Sequence, residues 1–512
     1  MGLIVACGSD ERTPLGGGEA PKEEPKQERD PNLPSDLLVP GIKVKDVAVF
    51  QGVKVPVVEK GAVYDGKVTA PVVADRPGIV RVYVDTDSSF KKQKVTAELR
   101  LVGPDGTAFP TIRETKSIDG ESAEEDPDTT FNLEFPATSF PEGVSFQVWL
   151  TSTTGVHAED ADVNDARYPQ DGTLWQDLGA EPAGKLKIVL VPMIYEADGS
   201  NRAPTTDEKQ LDIYKKTLMA RYPTSEVELT LHKPVKYDQE ISGRNGASWS
   251  AVLSTIRELR YADRVDEDVY YYGSFMPTKS FSTYCVGGCI AGLSTVAEDY
   301  KQDTLRASVG VGYPGQDAAD TLAHEVGHAH GREHAPCGNP DGVDPKFPYE
   351  DAELGSWGYD IFTKDFFSPK ESHDMMAYCP NEWVSDYTYN ALFKRIRNIN
   401  KWMATKSKGD EDARVVGGGN LSTPKELEDG YSVASLDGDG NAKWERDTFR
   451  PVTGGITKMA TLIGHAGETL RKTTAHFFPY DHIPGGLLFV PRRANESFKH
   501  VSLEGYAQKL VH

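Results

Sequence analysis

The first third of the chain contains short segments in which apolar and polar residues alternate. Residues 79–84 and 95–101 place apolar side chains at every second position, and turn-forming residues such as Pro104 and Gly106 separate such segments. Alternation with a period of two is typical of strands that are buried on one face. We therefore predict an immunoglobulin-like β-sandwich over residues 38–155 and a polar linker over residues 156–184.

A different pattern begins at Lys185. The apolar segment 188–191 predicts a buried strand, and strand-like and helix-like spacings of apolar residues then alternate as far as residue 404. Thr206 and Ser385 are placed to cap the first and last of these helices, because hydroxyl side chains accept hydrogen bonds from the free N–H groups of a first helical turn. Strands that alternate with helices predict an α/β domain over residues 185–404.

The end of the chain returns to a strand-like pattern. A linker is predicted over residues 405–420 and a β-rich accessory domain over residues 421–512. The segment 437–441 begins like a calcium-binding EF-hand loop, but Thr448 stands where that loop needs a bidentate glutamate, so we interpret it as a β-turn. The fold class predicted for the whole chain is α+β multidomain.

The charge of the chain narrows the choice of partner. The 512 residues carry a net charge of −22, which argues against nucleic acid or anionic lipid as the main partner, because both bind basic surfaces. No apolar run in the sequence approaches the ~18–20 residues of a membrane-spanning helix. We expect a monomer whose only membrane contact is a lipid anchor at Cys7.

Cys7 follows the apolar string 3–6 and precedes a glycine and a serine, which resembles the lipobox of bacterial lipoproteins. Only six residues precede it, fewer than a full signal needs, so a chance cysteine is the alternative. Residues 8–36 are rich in Gly, Pro, Glu, Lys and Asp, which is typical of a disordered stalk. Residues 1–37 therefore predict an exported protein, either a lipoprotein of the bacterial cell surface or outer membrane or a secreted protein.

Besides Cys7 the chain has four cysteines, and an exported protein would pair them. Cys285 and Cys289 enclose a tight loop that could be bridged locally. The alternative is a cysteine-rich zinc site, but C-x3-C with distant partners is not a zinc-finger spacing. We therefore favour disulfides.

The most informative segment is 324–334, which reads HExxHxxGxxH. Residues four apart share a helix face, so His324 and His328 can bind one metal ion. Gly331 permits the positive φ that turns the chain out of the helix, and the turn lets His334 supply a third ligand. Three neutral imidazoles leave one tetrahedral position for water, as in a catalytic zinc site with one Zn2+. Glu325 is then placed to act as the general base on that water.

This string resembles that of the metzincin metallopeptidases, in which HExxHxxGxxH is followed by a methionine-containing turn. Such a turn is present at 373–379, where Asp374, Met376 and Tyr378 align with the S-x-M-x-Y form of astacins and serralysins. The resemblance implies that Met376 forms a hydrophobic floor below the zinc and that Tyr378 ligates zinc or donates to the oxyanion. The alternatives are that Met375 is the floor and that Tyr378 is only packed nearby. Aspartate in place of the family's serine is a departure.

The resemblance covers residues 185–404 and implies a metzincin-type domain with a mixed twisted sheet, an active-site helix and the Met-turn. A Met-turn under the metal lies close to the loop of the third histidine, which implies a disulfide between Cys337 and Cys379. Metzincins also bind the substrate backbone along an antiparallel edge strand at the cleft rim. That strand is expected within residues 290–296, with its substrate-binding residues at Ile290, Ala291, Gly292 and Leu293.

Within the metzincins, the chain is most similar to the StcE-like bacterial metallopeptidases, known for cleaving mucin-type glycoproteins. The similar features are the preceding β-sandwich, the string 357–360 and the Met-turn string 374–379. We therefore interpret the chain as a zinc endopeptidase that hydrolyses extracellular proteins, with glycoproteins among the expected substrates. Zinc activates the water, Glu325 takes its proton, and Tyr378 helps to hold the oxyanion. The alternative from another class is a surface binding protein or adhesin, in which the β domains bind a partner and the zinc site is secondary.

Overall fold

The computed structural model describes residues 37–157, 161–416, 429–448, 450–494 and 496–512. Within these residues the chain is multidomain and β-rich, with five α-helices. It divides into two compact units: the first contains the described residues up to Pro182 and the segment Ser356–Ser368, and the second contains Ala183–Gly355 and Pro369–His512. Cys7 and the predicted stalk 8–36 lie outside the described residues.

The first unit is built mainly from two antiparallel sheets. Its strands up to Pro182 are β1 (Leu37–Leu38), β2 (Ile42–Phe50), β3 (Lys54–Glu59), β4 (Ala62–Val63), β5 (Val72–Val73), β6 (Gly78–Thr86), β7 (Gln93–Val102), β8 (Ile112–Ile118), β9 (Phe131–Phe135), β10 (Ser145–Thr151), β11 (Val156–His157), β12 (Arg167–Tyr168), β13 (Gln176–Asp177) and β14 (Ala180–Glu181). One sheet has the order β11–β1–β10–β7–β8 and the other β4–β3–β2–β6–β9. In β7 the alternating apolar side chains from Val95 to Leu101 are buried, as the pattern predicts.

The stretch 156–184, predicted as a linker, contains secondary structure. β11 pairs with β1, β12 and β13 pair with β10, and β14 pairs with β5. Arg167 in β12 is held by the carbonyl oxygen of Gln170 at 2.6 Å and the side chain of Asn164 at 2.9 Å. Strands of two residues have no periodicity to detect, so the sequence pattern could not predict them.

The second unit is centred on a mixed sheet. Its strands are β15 (Lys185–Tyr195), β16 (Glu226–Leu231), β17 (Val235–Tyr237), β18 (Val269–Phe275), β19 (Gly292–Leu293) and β20 (Ala307–Val311). The order is β16–β15–β18–β20–β19, and β17 also pairs with β15. Every pair is parallel except β19 with β20, so an antiparallel edge strand ends the sheet. All five residues of β20 are buried, as expected for a parallel strand covered on both faces.

Helices cover this sheet. They are α1 (Glu208–Arg221), α2 (Gly246–Ala262), α3 (Phe281–Tyr284) and α4 (Gln316–Ala329). Short 3-10 helices occur in both units, at Pro127–Thr129, Ala137–Ser139, Ala161–Ala166, Asp303–Leu305 and Glu350–Ala352. α4 contacts β20 and α1. Asp207 caps α1 by accepting the N–H of Gln210 at 2.8 Å, so the expected cap, Thr206, was one residue too early. Carboxylate and hydroxyl side chains cap helices about equally well, and Thr206 and Asp207 are adjacent, so the sequence did not distinguish between them.

The segment that follows α4 returns briefly to the first unit. There β21 (Gly358–Tyr359) pairs with β22 (Phe366–Phe367), and the rings of Tyr359 and Phe366 lie 6.1 and 5.6 Å from that of Phe50. The string 357–360 therefore belongs to the first unit and not to the predicted peptidase domain. These rings pack on a strand more than 300 residues earlier in the chain, so the local sequence pattern could not predict which unit the segment joins.

The chain then forms β23 (His373–Asp374), β24 (Glu382–Trp383) and the long helix α5 (Asp386–Val416). Ser385 caps α5, as predicted, by accepting the N–H of Thr388 at 3.0 Å. The helix continues into the predicted linker 405–420, whose lysines, glutamate, alanine and arginine are good helix formers. Among the described residues, no helix is both long and apolar enough to cross a membrane.

A final antiparallel sheet packs on α2. Its strands are β25 (Gly430–Leu436), β26 (Ala442–Trp444), β27 (Ile456–Ile463), β28 (Thr469–Pro479), β29 (Gly486–Arg492), β30 (His500–Leu503) and β31 (Lys509–Val511). Their order is β26–β25–β29–β28–β27–β30–β31. Val252 and Ile256 of α2 share one buried core with Phe478 and Phe489 of this sheet. The predicted accessory domain is therefore part of the same compact unit as the central sheet.

Two disulfides join the cysteines of the second unit. Cys285 bonds to Cys289 and Cys337 bonds to Cys379, with Cα–Cα distances of 4.9 and 5.7 Å. These are the pairs expected from the sequence. The second disulfide joins the loop after the third motif histidine to the segment 373–379.

Removal of the Cys337–Cys379 disulfide is expected to destabilise the fold more than removal of Cys285–Cys289. The bonded cysteines are 42 and 4 residues apart, and loop-closure entropy gives about 4 and about 2 kcal/mol respectively. Denaturant unfolding of the two double variants, Cys337→Ala with Cys379→Ala and Cys285→Ala with Cys289→Ala, measures the difference. A larger loss for the short loop would contradict this account.

Candidate metal centre

Three histidines converge near the C-terminal end of α4. His324 and His328 lie one turn apart, and their Nε2 atoms are 3.0 Å from each other. Gly331 follows the helix with φ +84°, and a Cβ there would lie 2.5 Å from the oxygen of Ala297. Only glycine fits this turn, which brings the ring of His334 to 4.5 Å from that of His328.

Main-chain oxygens fix the tautomer of all three rings. Each Nδ1 contacts one carbonyl: His324 that of Met375 at 2.7 Å, His328 that of Arg332 at 2.6 Å, and His334 that of Asp341 at 2.5 Å. A carbonyl oxygen only accepts, so each Nδ1 carries the hydrogen and donates it. In a neutral ring the other nitrogen, Nε2, then carries a lone pair. The lone pairs of the three rings point toward the same space.

The site holds these rings in the neutral form. Burial, with a smaller contribution from His482, lowers the pKa of His324 to about 3 and that of His334 to about 2. Burial also lowers the pKa of His328 well below its usual range, with help from the neighbouring imidazoles. Converging lone pairs without a proton repel one another, and a bound cation would remove the repulsion. Because imidazole nitrogen is a common ligand of transition metals, the residues fit a metal ion.

The Met-turn packs directly against α4. A Cβ on Gly327 would lie 2.6 Å from Sδ of Met376, so the turn methionine occupies the space that this glycine leaves. Met375 is also fully buried. The buried carboxylate of Asp374 accepts the N–H of Met376 at 2.8 Å and that of Ser385 at 2.9 Å. The aspartate that departs from the family pattern therefore ties the turn to the start of α5.

Tyr378 faces the same space as the histidines. Its hydroxyl lies 3.0 Å from Nε2 of His334. The backbone is held in place by two hydrogen bonds, from Ala335 N–H to the oxygen of Met376 at 2.9 Å and from Tyr378 N–H to that of Cys337 at 3.0 Å. These bonds and the neighbouring disulfide fix the tyrosine relative to the third histidine.

Glu325 is buried against β19. A Cβ on Gly292 would lie 2.2 Å from its Oε1, so a larger residue on the strand would displace the carboxylate. Oε1 lies 2.9 Å from Nε2 of His482, while Oε2 is buried and makes no hydrogen bond of good geometry. The carboxyl group of Asp481 lies next to that of Glu325. Burial raises the pKa of Glu325 to about 8. A divalent cation beside it would act in the opposite direction and favour the carboxylate.

The final sheet contributes two residues that the sequence analysis missed, Asp481 and His482 between β28 and β29. Oδ2 of Asp481 lies 3.4 Å from Nε2 of His328. His482 contacts Glu325 through Nε2 and the hydroxyl of Tyr378 through Nδ1. Burial raises the pKa of Asp481, and the nearby charge of Glu325 raises it further. The carboxyl groups of Glu325 and Asp481 would repel each other if both were ionised, so a nearby cation or a proton shared between them would stabilise the site.

The predicted edge strand is shorter in the structure. β19 contains only Gly292 and Leu293, whereas Ile290 and Ala291 lie before it. The N–H of Ile290 donates to the oxygen of Gly243 at 2.8 Å, because a loop crosses the edge at this point. The backbone edge at the site is therefore centred on β19 itself.

A second group of metal-binding residue types contains Cys337, His373 and Cys379. Both sulfur atoms are joined to each other in the disulfide, so neither is available as a thiolate. Nδ1 of His373 donates to the oxygen of Pro380 at 2.7 Å. One imidazole without further ligands does not fit a metal ion.

Comparison with known proteins supports a peptidase. The family model described as Peptidase M66 matches residues 304–390, a span that contains α4, the third histidine and the Met-turn. The match supports a metallopeptidase family and a protein substrate. No curated protein matches the chain.

The solved structures that are similar to the chain match it only weakly. Those similar to the chain include a chaperone–substrate complex, with 10% identity, a TM-score of 0.23 and coverage of 52% of this chain and 43% of that chain. Another is a calcium-binding mutant of Bacteroides uniformis beta-glucuronidase 2, with 10% identity, a TM-score of 0.13 and coverage of 48% and 25%. The chain spans less than half the length of either structure.

The purified protein is expected to contain about one metal ion per chain, as three imidazoles and an open position bind a single ion. His328→Ala removes one converging lone pair and should lose most of the metal. Elemental analysis after dialysis measures the content. The control is His465→Ala, an exposed histidine in the final sheet whose Nε2 contacts Ser497. Equal metal in both variants would contradict the assignment.

Proposed function

We propose that this chain is a zinc endopeptidase of the metzincin type. The observation that carries the proposal is the convergence of three imidazole lone pairs beside a buried glutamate that lies next to the edge of a sheet. Histidine ligands without thiolates suit a hydrolytic zinc site, because zinc then keeps one position for water. The match of residues 304–390 to a metallopeptidase family supports the same class.

The ligands are His324, His328 and His334. When bound, zinc polarises the scissile carbonyl and lowers the pKa of its water toward ~7. Glu325 is the general base, and Oε2 is the oxygen free to take the proton that the leaving amine later receives. The hydroxyl of Tyr378, next to the third ligand, is placed to donate to the oxyanion. Met376 packs on α4 at Gly327 and so supports the helix that carries the first two ligands.

The substrate is a protein, and its backbone is proposed to pair with β19 at the site. Antiparallel edge strands bind extended peptides through main-chain hydrogen bonds, which suits internal peptide bonds of many sequences. Two disulfides support an exported protein, because disulfides persist in oxidising compartments. Extracellular proteins, glycoproteins included, are therefore the proposed substrates of a monomer that is secreted or anchored through Cys7. An adhesin would leave the three histidines and Glu325 without a role.

Glu325→Gln is expected to lower kcat by roughly 10²–10⁴, because a general base contributes about that much to the rate. Metal content should persist, since the glutamate is not a ligand. Steady-state kinetics on a quenched peptide and elemental analysis measure both quantities. Glu333→Gln is the control, because Glu333 lies in the same motif but is exposed. Near-normal turnover of Glu325→Gln would remove it from this role.

Tyr378→Phe is expected to lower kcat by roughly 10–10³ with little change in KM. A phenol that donates mainly to the developing oxyanion stabilises the transition state more than the bound substrate. The effect should be smaller than that of Glu325→Gln. Tyr271→Phe is the control, because that hydroxyl donates to Asp263 at 2.8 Å, away from the site. If kcat stays at the control value, Tyr378 is only a packing residue.

A further inference from the structure

The loop between β28 and β29 lies along the end of β19. Tyr480 forms an antiparallel bridge with Thr295. The N–H of Ser294 donates to both oxygens of Asp481, at 3.0 and 3.1 Å. Asp481 is buried, and backbone pairing of this kind fixes the position of the next residue, His482, within the site.

The loop is also anchored on both sides of His482. The hydroxyl of Tyr480 lies 2.6 Å from Oγ of Ser435. Tyr480 and Ile483 belong to the core that the final sheet shares with α2. Withdrawing the loop would expose these apolar side chains to water, which is unfavourable. The loop is therefore a permanent part of the site and not a removable plug.

His482 connects the two groups to which the proposed function gives catalytic roles. Nε2 lies 2.9 Å from Oε1 of Glu325, and Nδ1 is hydrogen-bonded to the hydroxyl of Tyr378. With a cation bound at the three histidines, Glu325 is a carboxylate that only accepts, so Nε2 carries the hydrogen and donates it. A neutral ring then accepts at Nδ1 the single hydrogen of the Tyr378 hydroxyl, and in the proposed reaction this hydrogen turns from Nδ1 to the oxyanion. His482 thus has the opposite tautomer to the three converging histidines.

We propose that His482 is a positioning residue for the peptidase reaction, supplied by the final sheet. It holds Oε1 of Glu325 and so leaves Oε2 to act as the base, and it fixes the hydroxyl of Tyr378 beside His334. We assign His482 this supporting role and not that of a fourth ligand, although it lies near the other three imidazoles, because with a hydrogen on Nε2 it has no lone pair on that nitrogen. This inference rests on the proposed function, and it makes the final sheet an obligatory part of the active site.

The test compares full-length His482→Ala and His482→Gln with wild type and His465→Ala. Loss of a hydrogen-bonded support typically lowers activity 10–100-fold. We expect His482→Ala to lower kcat by about that factor with KM and zinc affinity within ~3-fold of wild type. Glutamine carries a donor and an acceptor, so His482→Gln should recover part of kcat, which a purely structural role would not predict. Thermal unfolding and zinc competition with a chromophoric chelator complete the comparison.

Two kinetic results and one binding result would overturn the inference. An unchanged kcat for His482→Ala would leave the residue without a positioning role. A higher kcat/KM would show that the ring obstructs the site. A tenfold or greater loss of zinc affinity would show that His482 is a ligand.

A readout independent of turnover separates this inference from the proposed function. In zinc-loaded protein with ¹⁵N-labelled histidine, we expect an Nε2-protonated ring that is missing from the spectrum of His482→Gln. An Nδ1-protonated His482 would contradict the inference whether or not the enzyme is active. A zinc-loaded wild type without peptidase activity would instead refute the proposed function, and the tautomer of His482 would still decide the inference.

Discussion

The site depends on three hydrogen bonds from imidazole Nδ1 to main-chain oxygens. Those oxygens belong to Met375, Arg332 and Asp341, which lie in the Met-turn, in the turn that ends α4 and in the loop beyond the third histidine. Each bond places the hydrogen on the outer nitrogen and turns a lone pair inward. Because one oxygen comes from the segment 373–379, the packing of Met376 on Gly327 and the Cys337–Cys379 disulfide both help to keep the three rings converged.

The convergence of these buried groups makes a positive charge at the site favourable. The three rings are buried and neutral, and the carboxyl groups of Glu325 and Asp481 are buried beside them. Burying carboxylates without a counter-charge is costly, and a divalent cation at the converging lone pairs would compensate for it. The final sheet adds His482, so residues from α4, the segment 373–379 and the β28–β29 loop meet at one point.

The sequence predicted the parts of this site that local spacing determines. The spacing of His324 and His328 on one helix face, and the glycine that turns the chain toward His334, are properties of a single segment. Asp481 and His482 could not be found in this way, because they lie some 150 residues later and carry no motif of their own. Tertiary contacts bring them to Glu325, among them the pairing of Tyr480 with Thr295 and the hydrogen bonds from Ser294 to Asp481.

The fold shows the same division. Strands with clear alternation, such as β7, were predicted, whereas the two-residue strands within 156–184 carry no period. The final sheet could not be assigned to the second unit from its own pattern, because the core shared by Val252 and Phe489 is a long-range contact. The extension of α5 beyond residue 404 was missed because its charged residues were interpreted as a linker.

The most direct test of the metal centre is a crystal structure of zinc-loaded protein with anomalous diffraction measured on both sides of the zinc absorption edge. The account predicts one strong anomalous peak within ~2.0–2.1 Å of Nε2 of each of His324, His328 and His334. It also predicts that Oε2 of Glu325 faces the open position of that ion. No peak at this point, or a peak at His373 instead, would contradict the account.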